Sequence, residues 1–265
     1  MAVTKYLEIY NADNILIIDD TFQNLTLKGG VYANGYVKCT QKSDFDAKKT
    51  QIYQYCQYTS DREWEAMISF DVDSSKDELL AFTTSAKDEQ IKIFPLRLEN
   101  RYVIYVVVPF DSEYGKDEAA FKKYLSYFIY NIYGKYDIID KDTGSGLMVY
   151  NADGKPVFDS DLKYMRVKEY FYKCTENLVD AEQVFEQTIL DIGIDGEVAP
   201  FSACQFWRYS PQMLYNYRFY LSFLTNQQVK CGIAPYGLIP NQGVGITGAL
   251  QIVTSLMILK GYYYY

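Results

Sequence analysis

Two pairs of carboxylates are the side chains of this sequence best suited to chemistry. Asp19 with Asp20, and Asp159 with Asp161, each bring two acids close together. A glycoside hydrolase needs only a general acid and a second carboxylate at the right separation. Each pair follows a tight turn at the end of a predicted strand, however, and aspartate at such a position is typical of turns and caps. A carboxylate-pair glycoside hydrolase is therefore an alternative interpretation, and we predict no catalytic residue.

Other catalytic and ligand-binding motifs are incomplete. The chain has no histidine, which rules out Ser-His-Asp and Cys-His arrangements and histidine metal sites. Residues 243–248, GVGITG, match a dinucleotide fingerprint, but no acidic residue follows and the chain there has the pattern of a strand. Residues 71–82 and 191–202 begin like calcium loops but end in Phe82 and Ser202, where a bidentate glutamate is required. We predict no cofactor and no metal.

Most of the chain has the period of two that is typical of β-strands. The predicted strands are 36–41, 51–59, 63–72, 78–84, 90–96, 101–110, 165–175, 201–210, 214–224 and 228–237. Between them, Phe121, Leu125, Phe128 and Ile132 recur on one face of a helix, which predicts one amphipathic helix near 117–133. The predicted fold is mainly β (α+β), of sandwich or meander type.

A similar hairpin occurs twice, 140 positions apart. Residues that recur in the second copy are Leu7, Tyr10, Asn11, Ala12, Asp13 and Asp19, as Leu147, Tyr150, Asn151, Ala152, Asp153 and Asp159. Where the loop needs a left-handed residue, the first copy has Asn14 and the second has Gly154. The predicted structural turn residues are Asn11, Asp13, Asn14, Asn151, Asp153 and Gly154. Beyond the hairpins the two halves show no visible alignment, so the sequence supports duplication of the hairpin only.

These hairpins divide the chain into two predicted β-rich modules, each opening with one copy. Residues 1–143 form the first, with the helix, and residues 144–265 form the second. The boundary lies in the charged, glycine-containing stretch 134–146, a composition typical of linkers.

The composition restricts the class of partner. A net charge of −8, with no local basic patch, predicts no nucleic-acid partner. The N-terminus has no basic region followed by an apolar run, so we expect no signal peptide. Residues 244–259 are apolar-rich but too short and too polar for a membrane span, and the alternation from Leu250 to Ile258 predicts a strand.

Tyrosine is unusually frequent, with 28 residues, four of them at 262–265. In a strand, Tyr262 and Tyr264 would lie on one face, and Tyr263 and Tyr265 on the other. Outward-facing tyrosines on an ordered segment are typical of protein interfaces. We therefore predict that Tyr262, Tyr263, Tyr264 and Tyr265 form an interface with a neighbouring protein.

The second hairpin resembles the opening signature of a family of small tailed-phage and prophage proteins encoded among tail and tail-fibre genes. Those proteins begin with Gly-Leu-x-Val, an Asn/Asp-Gly turn and Phe-Asp-Ser. The resemblance covers about 22 residues (146–167), and the matching residues are Gly146, Leu147, Val149, Asn151, Gly154, Phe158, Asp159 and Ser160. The first copy lacks Phe-Asp-Ser, and the tyrosine-rich end is similar to the family's only loosely.

This resemblance implies a non-enzymatic structural subunit of a bacteriophage virion, in the tail tip or tail-fibre attachment region. The implied partners are other virion proteins, with several copies in an assembly and no membrane span, and the implied location is the virion after synthesis in the host cytoplasm. A host-surface or glycan-binding module is an alternative. It would require exposed tryptophans, and the chain has only Trp64 and Trp207, each within a strand pattern.

Overall fold

The computed structural model describes residues 8–10, 16–19, 25–32, 37–39, 53–60, 63–98, 100–138, 146–175, 188–202, 205–209, 213–225, 227–240 and 252–261. Nineteen strands and one α-helix lie within these ranges. The first-half strands are β1 (Glu8–Tyr10), β2 (Leu16–Asp19), β3 (Thr26–Tyr32), β4 (Val37–Cys39), β5 (Tyr53–Ser60), β6 (Glu63–Asp71), β7 (Leu79–Thr84), β8 (Lys92–Leu98), β9 (Arg101–Pro109) and β10 (Phe128–Gly134), and the helix α1 (Glu118–Leu125) lies between β9 and β10. The second-half strands are β11 (Met148–Tyr150), β12 (Pro156–Asp159), β13 (Val167–Thr175), β14 (Thr188–Asp191), β15 (Gly196–Ser202), β16 (Gln205–Tyr209), β17 (Met213–Phe223), β18 (Gln228–Pro240) and β19 (Ile252–Lys260).

Two large sheets pack against a shared core, which confirms the predicted mainly β fold. One sheet has six strands in the order β13-β19-β15-β7-β10-β3. The other has nine, in the order β14-β18-β17-β8-β9-β6-β5-β4 with β16 beside β17. Rings from the two sheets meet in the core, where Phe70 lies 4.5 Å from Tyr130 and Phe82 lies 6.2 Å from Phe223 between ring centroids. Burial alternates along the second half of β9, whereas β7 is buried at every residue, so the central strands are covered on both faces.

Each of the two predicted hairpins forms a small two-stranded sheet of its own, β1–β2 and β11–β12. In the first, Glu8 pairs with Asp19, Ile9 with Ile18 and Tyr10 with Leu16. In the second, Met148 pairs with Asp159, Val149 with Phe158 and Tyr150 with Pro156. Every pair is shifted by the same 140 positions, and the register slips at the same step in both copies. The two hairpins are therefore built alike in strand length, register and bulge.

The likeness of the two halves extends beyond the hairpins to six further strands in each half. In the first half β3 pairs with β10, β10 with β7, β6 with β9 and β9 with β8. In the second half β13 pairs with β19, β19 with β15, β14 with β18 and β18 with β17. The corresponding strands come in the same order along both halves, and the halves meet where β7 pairs with β15 and β8 with β17. Six strands of each half thus follow the same order and the same pairing, and these two sets, with their hairpins, are called here the two repeats; β4, β5, β16 and α1 have no counterpart in this pattern among the described residues.

Two details at equivalent places support this relation. Lys28 and Lys168, 140 positions apart, are the residues skipped at the bulges of β3 and β13. The Nζ atom of Lys28 lies 3.0 Å from a carboxylate oxygen of Glu78, just before β7, and that of Lys168 lies 2.6 Å from a carboxylate oxygen of Asp195, just before β15. The expectation that duplication is limited to the hairpin is therefore corrected, because the pairing pattern survives where the sequence has diverged.

This arrangement bears on the predicted modules 1–143 and 144–265. Strands from both sides of residue 143 lie in each large sheet, and the central neighbours β7 and β15 come from different halves. The predicted boundary thus falls between two repeats that share their sheets. A repeat that depends on its neighbour to complete the same core does not have the anatomy of an independent domain.

The predicted helix near 117–133 is confirmed in its first half and corrected in its second. Helix α1 begins after Asp117, whose side chain accepts a hydrogen bond of 2.7 Å from the Ala120 amide. It ends at Leu125, and Phe128–Gly134 form β10. The run 127–134, YFIYNIYG, is rich in aromatic and β-branched residues, which favour strands. Pairing with β3 and β7 on its two sides stabilises the strand over a continued helix.

The apolar run near the C-terminus forms β19, at Ile252–Lys260, between β13 and β15. This confirms the predicted strand from Leu250 to Ile258 over the residues that the structure describes. Residues 243–248, the GVGITG stretch, lie outside the described residues. Among the described residues there is no helix long and apolar enough to span a membrane.

Candidate interaction surface

One continuous stretch of the chain carries most of the large apolar side chains that are exposed in the described part of the structure. It runs from Leu147 to Tyr172 and is called here the 147–172 surface. Its exposed members, between 37% and 55% accessible, are Leu147, Tyr150, Leu162, Val167, Tyr170 and Tyr172. Concentrations of exposed apolar residues are typical of interaction sites. These exposed residues lie in or next to the hairpin β11–β12, in the segment that follows it and in the strand β13.

The loop of the second hairpin is held by its own residues. The Asn151 side chain accepts hydrogen bonds from the amides of Asp153, at 3.1 Å, and Lys155, at 2.8 Å. Gly154 has a φ of +73°, the left-handed conformation that the loop predicts at this position. The Gly154 amide donates to the Asn151 carbonyl at 3.0 Å and closes the turn. Of the predicted turn residues, Asn11, Asp13 and Asn14 in the first copy lie outside the described residues.

The remaining residues of the Gly-Leu-x-Val and Phe-Asp-Ser signature close the base of the hairpin. The Ser160 hydroxyl accepts a 2.9 Å hydrogen bond from the Leu147 amide, and the Ser160 amide donates to the Leu147 carbonyl at 2.9 Å. A Cβ atom on Gly146 would lie 2.7 Å from the Ser160 hydroxyl oxygen. The Phe158 ring stacks on Tyr164 at 4.9 Å between centroids. The signature therefore specifies a self-contained hairpin.

The candidate carboxylate pair Asp159 and Asp161 forms a turn at this same base. Asp159 is buried, and its carboxylate accepts a 2.9 Å hydrogen bond from the Asp161 amide. The Asp159 amide donates to the Tyr164 hydroxyl at 2.8 Å. This geometry fits the turn role that the sequence predicted. Of the other pair, only the backbone of Asp19 is described, in β2, and Asp20 lies outside the described residues.

The calcium-like segments also form turns. The Asp73 carboxylate accepts from the Ser75 amide at 3.0 Å, and that of Asp191 from the Gly193 amide at 2.9 Å. Across the described ranges, no group of three or more Cys, Asp or Glu side chains is arranged to hold a metal ion. These acids stabilise backbone turns that precede β7 and β15.

The buried carboxylate of Glu197 is bonded within the core. Glu197 in β15 is fully buried, and its oxygens accept hydrogen bonds from the Asn131 amide group and, at 3.2 Å, from the Tyr133 hydroxyl. Both donors lie in β10, on the far side of β7. The carboxylate thus links the two repeats across β7.

The side chain of Trp64 packs against the helix α1. Its indole ring stacks on Phe121 of α1 at 5.5 Å between centroids, and its N–H donates to the Gly115 carbonyl at 2.9 Å. These contacts anchor the helix over the edge of the core. The side chain of Trp207 lies outside the described part of the structure, as do Tyr262, Tyr263, Tyr264 and Tyr265.

β13 contributes an exposed strand at the end of the six-stranded sheet. Along the described chain its pairing partner is β19, and it is the terminal strand in the sheet order. Phe171 packs against the core, whereas Glu169, Tyr170 and Tyr172 are exposed. The ion pair of Lys168 with Asp195, and a 3.2 Å hydrogen bond from Lys168 to the Ile192 carbonyl, fix the beginning of the strand.

The sequence predicts β13 as a strand but does not indicate that it lies at the edge of a sheet. The alternation from 165 to 175 indicates a strand with one buried face, while position in a sheet depends on partners distant in sequence. The exposed aromatic pair Tyr170 and Tyr172 was the available signal, since a solvated face seldom carries two tyrosines so close together.

Substitution of Gly154 with valine is expected to destabilise the protein by about 1–2 kcal/mol. The reason is that a β-branched residue is strained at a φ of +73°. Thermal or urea unfolding measures the loss. Gly154→Asn is the matched control, because asparagine tolerates this conformation and stands at the equivalent position of the first hairpin. Equal stability of the valine variant and the wild type would contradict the role of this turn.

The geometry thus provides an exposed apolar surface on a hairpin and an edge strand, next to carboxylates that are bonded into turns. Such an arrangement suits binding to another polypeptide by apolar contact or by strand addition. Comparison with known proteins gave no match, since no protein-family model, curated protein or solved structure is significantly similar to this chain.

Proposed function

We propose that this chain is a non-enzymatic structural subunit of a bacteriophage virion, placed in the tail tip or the tail-fibre attachment region. In this role it acts through protein–protein contacts with other tail proteins and is present in several copies. It is made in the host cytoplasm and ends in the particle.

The observation that carries the proposal is the 147–172 surface. It combines the hairpin that resembles the tail-protein signature with exposed leucine, valine and tyrosine side chains. Interfaces are enriched in aromatic residues, and large apolar side chains in contact with water gain free energy when a partner covers them. A resemblance in sequence (146–167) and an exposed stretch suited to assembly (147–172) thus overlap in residues 147–167.

The hydrogen bonds of the carboxylates near this surface support a non-enzymatic role. The Asp159 carboxylate caps a turn, and its neighbour Asp161 contributes its amide to that turn. A general acid or nucleophile needs a carboxylate that reaches a substrate. The contacts of Asp159 favour a structural role instead.

Mass spectrometry of purified phage particles tests the proposal directly. A strain that carries the gene is induced, and the particles are purified and analysed for peptides of this chain. Peptides present in a constant ratio to known tail proteins would support a virion subunit. Their absence from infectious particles would overturn the proposal.

Leu147→Lys is expected to lower incorporation into particles about tenfold, because a buried charge at an interface costs on the order of 1–2 kcal/mol. The Leu147 side chain is exposed and its backbone closes the hairpin, so the melting temperature should stay near that of the wild type. Incorporation is measured as the peptide ratio in purified particles.

The matched control is Ile189→Lys, which places the same charge on an equally exposed apolar residue outside the surface. Wild-type incorporation of the Ile189 variant, beside reduced incorporation of the Leu147 variant, would locate the contact on the 147–172 surface. Equal incorporation of both variants would contradict that location.

A further inference from the structure

We propose that a second copy of this chain docks on a basic patch around Ile194 through its acidic loop, residues 111–118. The patch consists of Arg166, Lys168, Ile194 and Lys260 and is called here the Ile194 patch. In a two-fold dimer the contact occurs twice, since the patch of each copy meets the acidic loop of the other. This inference rests on the proposed assembly role in one respect, because it names a second copy as a partner.

Ile194 is the most exposed large apolar side chain in the described part of the structure, at 82%. It lies in the turn between β14 and β15, and hydrogen bonds to other segments hold this turn in place. The Ile192 amide donates to the Gln227 carbonyl at 3.0 Å, and the Gly261 amide donates to the Asp195 carbonyl at 2.6 Å. A side chain that is already fixed loses little conformational freedom when a partner covers it. Ile194 therefore has the properties of an interface anchor.

The charges beside Ile194 are mostly positive. The Nζ atoms of Lys168 and Lys260 lie 2.6 and 3.9 Å from carboxylate oxygens of Asp195, so two ammonium groups share one carboxylate. Arg166 is exposed, and its carbonyl accepts a 2.9 Å hydrogen bond from the Lys260 amide, which places it next to this pair. The patch thus has an excess of positive charge in a chain whose net charge is −8.

The equivalent turn of the first repeat, which precedes β7, provides an internal comparison. Its exposed residues are all polar, namely Asp73, Ser74, Ser75, Lys76 and Asp77. Lys28 pairs with Glu78 at 3.0 Å and Lys135 with Asp77 at 2.5 Å, so lysines and carboxylates balance there. The exposed isoleucine and the excess positive charge therefore belong to the turn of the second repeat and are not required by the fold.

The acidic loop has the complementary properties. Residues 111–118, DSEYGKDE, contain four acids and one lysine, and Asp111 and Glu113 are exposed. Tyr114 is partly exposed, and its ring packs on Tyr124 at 5.0 Å between centroids, which fixes its position. Aromatic rings are favoured in interfaces, and opposite charges steer association and select the partner. The loop therefore offers a ring to Ile194 and carboxylates to the surrounding cations.

The patch and the acidic loop lie at the same end of the subunit. β15 begins at Gly196 and runs antiparallel to β7, so its beginning lies where β7 ends, at Thr84. The Ser112 hydroxyl of the acidic loop donates a 2.7 Å hydrogen bond to Asp88, in the connection that follows β7. Two copies can therefore meet end to end with both contacts made at once, and an isologous contact of this kind closes as a dimer.

Charge reversal on either side tests the contact. Arg166→Glu places an acid in the patch, and Asp111→Lys places a cation in the acidic loop. We expect each variant to raise the dimer dissociation constant about tenfold or more, since the attractive contact becomes repulsive at both symmetric positions. Sedimentation equilibrium over a range of concentrations measures the constant.

Mixing the two variants provides the decisive measurement. In the mixed dimer, the acidified patch of one copy meets the lysine-bearing loop of the other, and the second contact is the wild-type one. The mixture is therefore expected to dimerise with nearly the wild-type constant. Lys155→Glu and Asp153→Lys, which make the same changes in net charge at exposed residues of the second hairpin, are the matched controls and should leave the constant unchanged.

Ile194→Ser gives an independent test of the apolar anchor. It is expected to raise the dissociation constant about tenfold, because the dimer loses two buried isoleucine side chains. Ile189→Ser, at an exposed isoleucine of β14 outside the patch, is the matched control. Circular dichroism and thermal melts verify that each variant is folded before its association is compared.

A monomeric wild type at its highest soluble concentration would overturn the inference, and so would a dimer that is unaffected by both charge reversals. These results are distinct from failure of the proposed function. A monomeric chain that is present in particles would overturn docking at the Ile194 patch and leave the virion role. A dimer with the expected response to the variants that is absent from particles would overturn the virion role and leave the docking.

Discussion

Replacement of Phe82 with alanine is expected to lower the free energy of unfolding by about 3–5 kcal/mol. Phe82 is completely buried, and its ring packs against Phe128, Tyr130 and Phe223, at 6.4, 6.3 and 6.2 Å between centroids. Its backbone is also the point at which β7 pairs with Val198 of β15. Truncation leaves a cavity where both sheets and both repeats meet. Urea unfolding followed by circular dichroism measures the loss.

Phe158→Ala is the matched control for this substitution. Phe158 is only partly buried and stacks on Tyr164 in the separate sheet β11–β12. Its truncation is expected to cost about 1 kcal/mol, the value of an aromatic pair with little additional burial. A Phe82 variant no less stable than the Phe158 variant would contradict the position assigned to Phe82 at the centre of the core.

The shared core also determines how the chain unfolds. Because β7 pairs with β15 and β8 with β17, neither repeat can leave the sheets without exposing the other. Unfolding is therefore expected to be a single cooperative transition, with the same midpoint by circular dichroism and by tryptophan fluorescence. Two separate transitions would indicate independent modules on the two sides of residue 143.

The hairpins were predictable from sequence because their determinants are local. Asn151 and Gly154 close the second turn through contacts within five residues, and turn chemistry of this kind is specified by residue type. The same locality explains why the second hairpin retains both its sequence and its register relative to the first. The hairpins were predicted most completely, and they are also the elements that depend least on contacts with distant parts of the chain.

The end of helix α1 was not predictable in the same way. Phe121 and Leu125 pack into the core from the helix, and Phe128 and Ile132 continue the helical spacing, yet the latter two lie in β10. Residues with a spacing of three and four also fit a strand when aromatic and β-branched residues fill both faces. Partners on both sides of β10 determine the outcome, and these partners are remote in sequence.

The duplication beyond the hairpins was hidden for a related reason. Outside the hairpins, equivalent strands have equivalent pairing partners but different residue types. A buried position accepts many apolar side chains of similar volume, so the residues can change while the pairing is kept. The bulge lysines Lys28 and Lys168 preserve a trace of the relation in sequence. Their significance depends on knowing that each lies at the start of an edge strand, which the sequence alone does not provide.

These two lysines form equivalent ion pairs in very different surroundings. The Glu78 side chain is 1% exposed and accepts hydrogen bonds from Lys28, from the Tyr136 hydroxyl at 2.6 Å and from the Asp73 amide at 2.7 Å. The partner of Lys168, Asp195, is 36% exposed. The two pairs therefore differ in their carboxylates: Glu78 is buried and bonded by three donors although Lys28 itself is 55% exposed, whereas Asp195 is partly in solvent, which weakens its interaction.

Glu78→Gln is therefore expected to cost about 2–3 kcal/mol at neutral pH, because an amide replaces an acceptor of several charge-assisted hydrogen bonds and turns a donor toward the donors around it. Asp195→Asn, the matched substitution in the second repeat, is expected to cost less than about 1 kcal/mol. Thermal and urea unfolding of both variants at pH 7 measure the difference. Equal losses would show that burial does not distinguish the two ion pairs.

The pH dependence of stability provides a second measure of the Glu78 contacts. Burial alone would raise the pKa of Glu78, but the hydrogen bonds from Tyr136 and Asp73 and the Lys28 charge together hold this pKa below its ordinary value of 4.5. A carboxyl whose pKa is lower in the folded chain stabilises the fold fully above the unfolded pKa, and the stabilisation is lost as the pH falls through the folded pKa. The wild type should therefore lose its advantage over Glu78→Gln as the pH falls below 4.5. A difference in stability that remained constant from pH 7 to the acid limit would contradict the ionised, hydrogen-bonded state of Glu78.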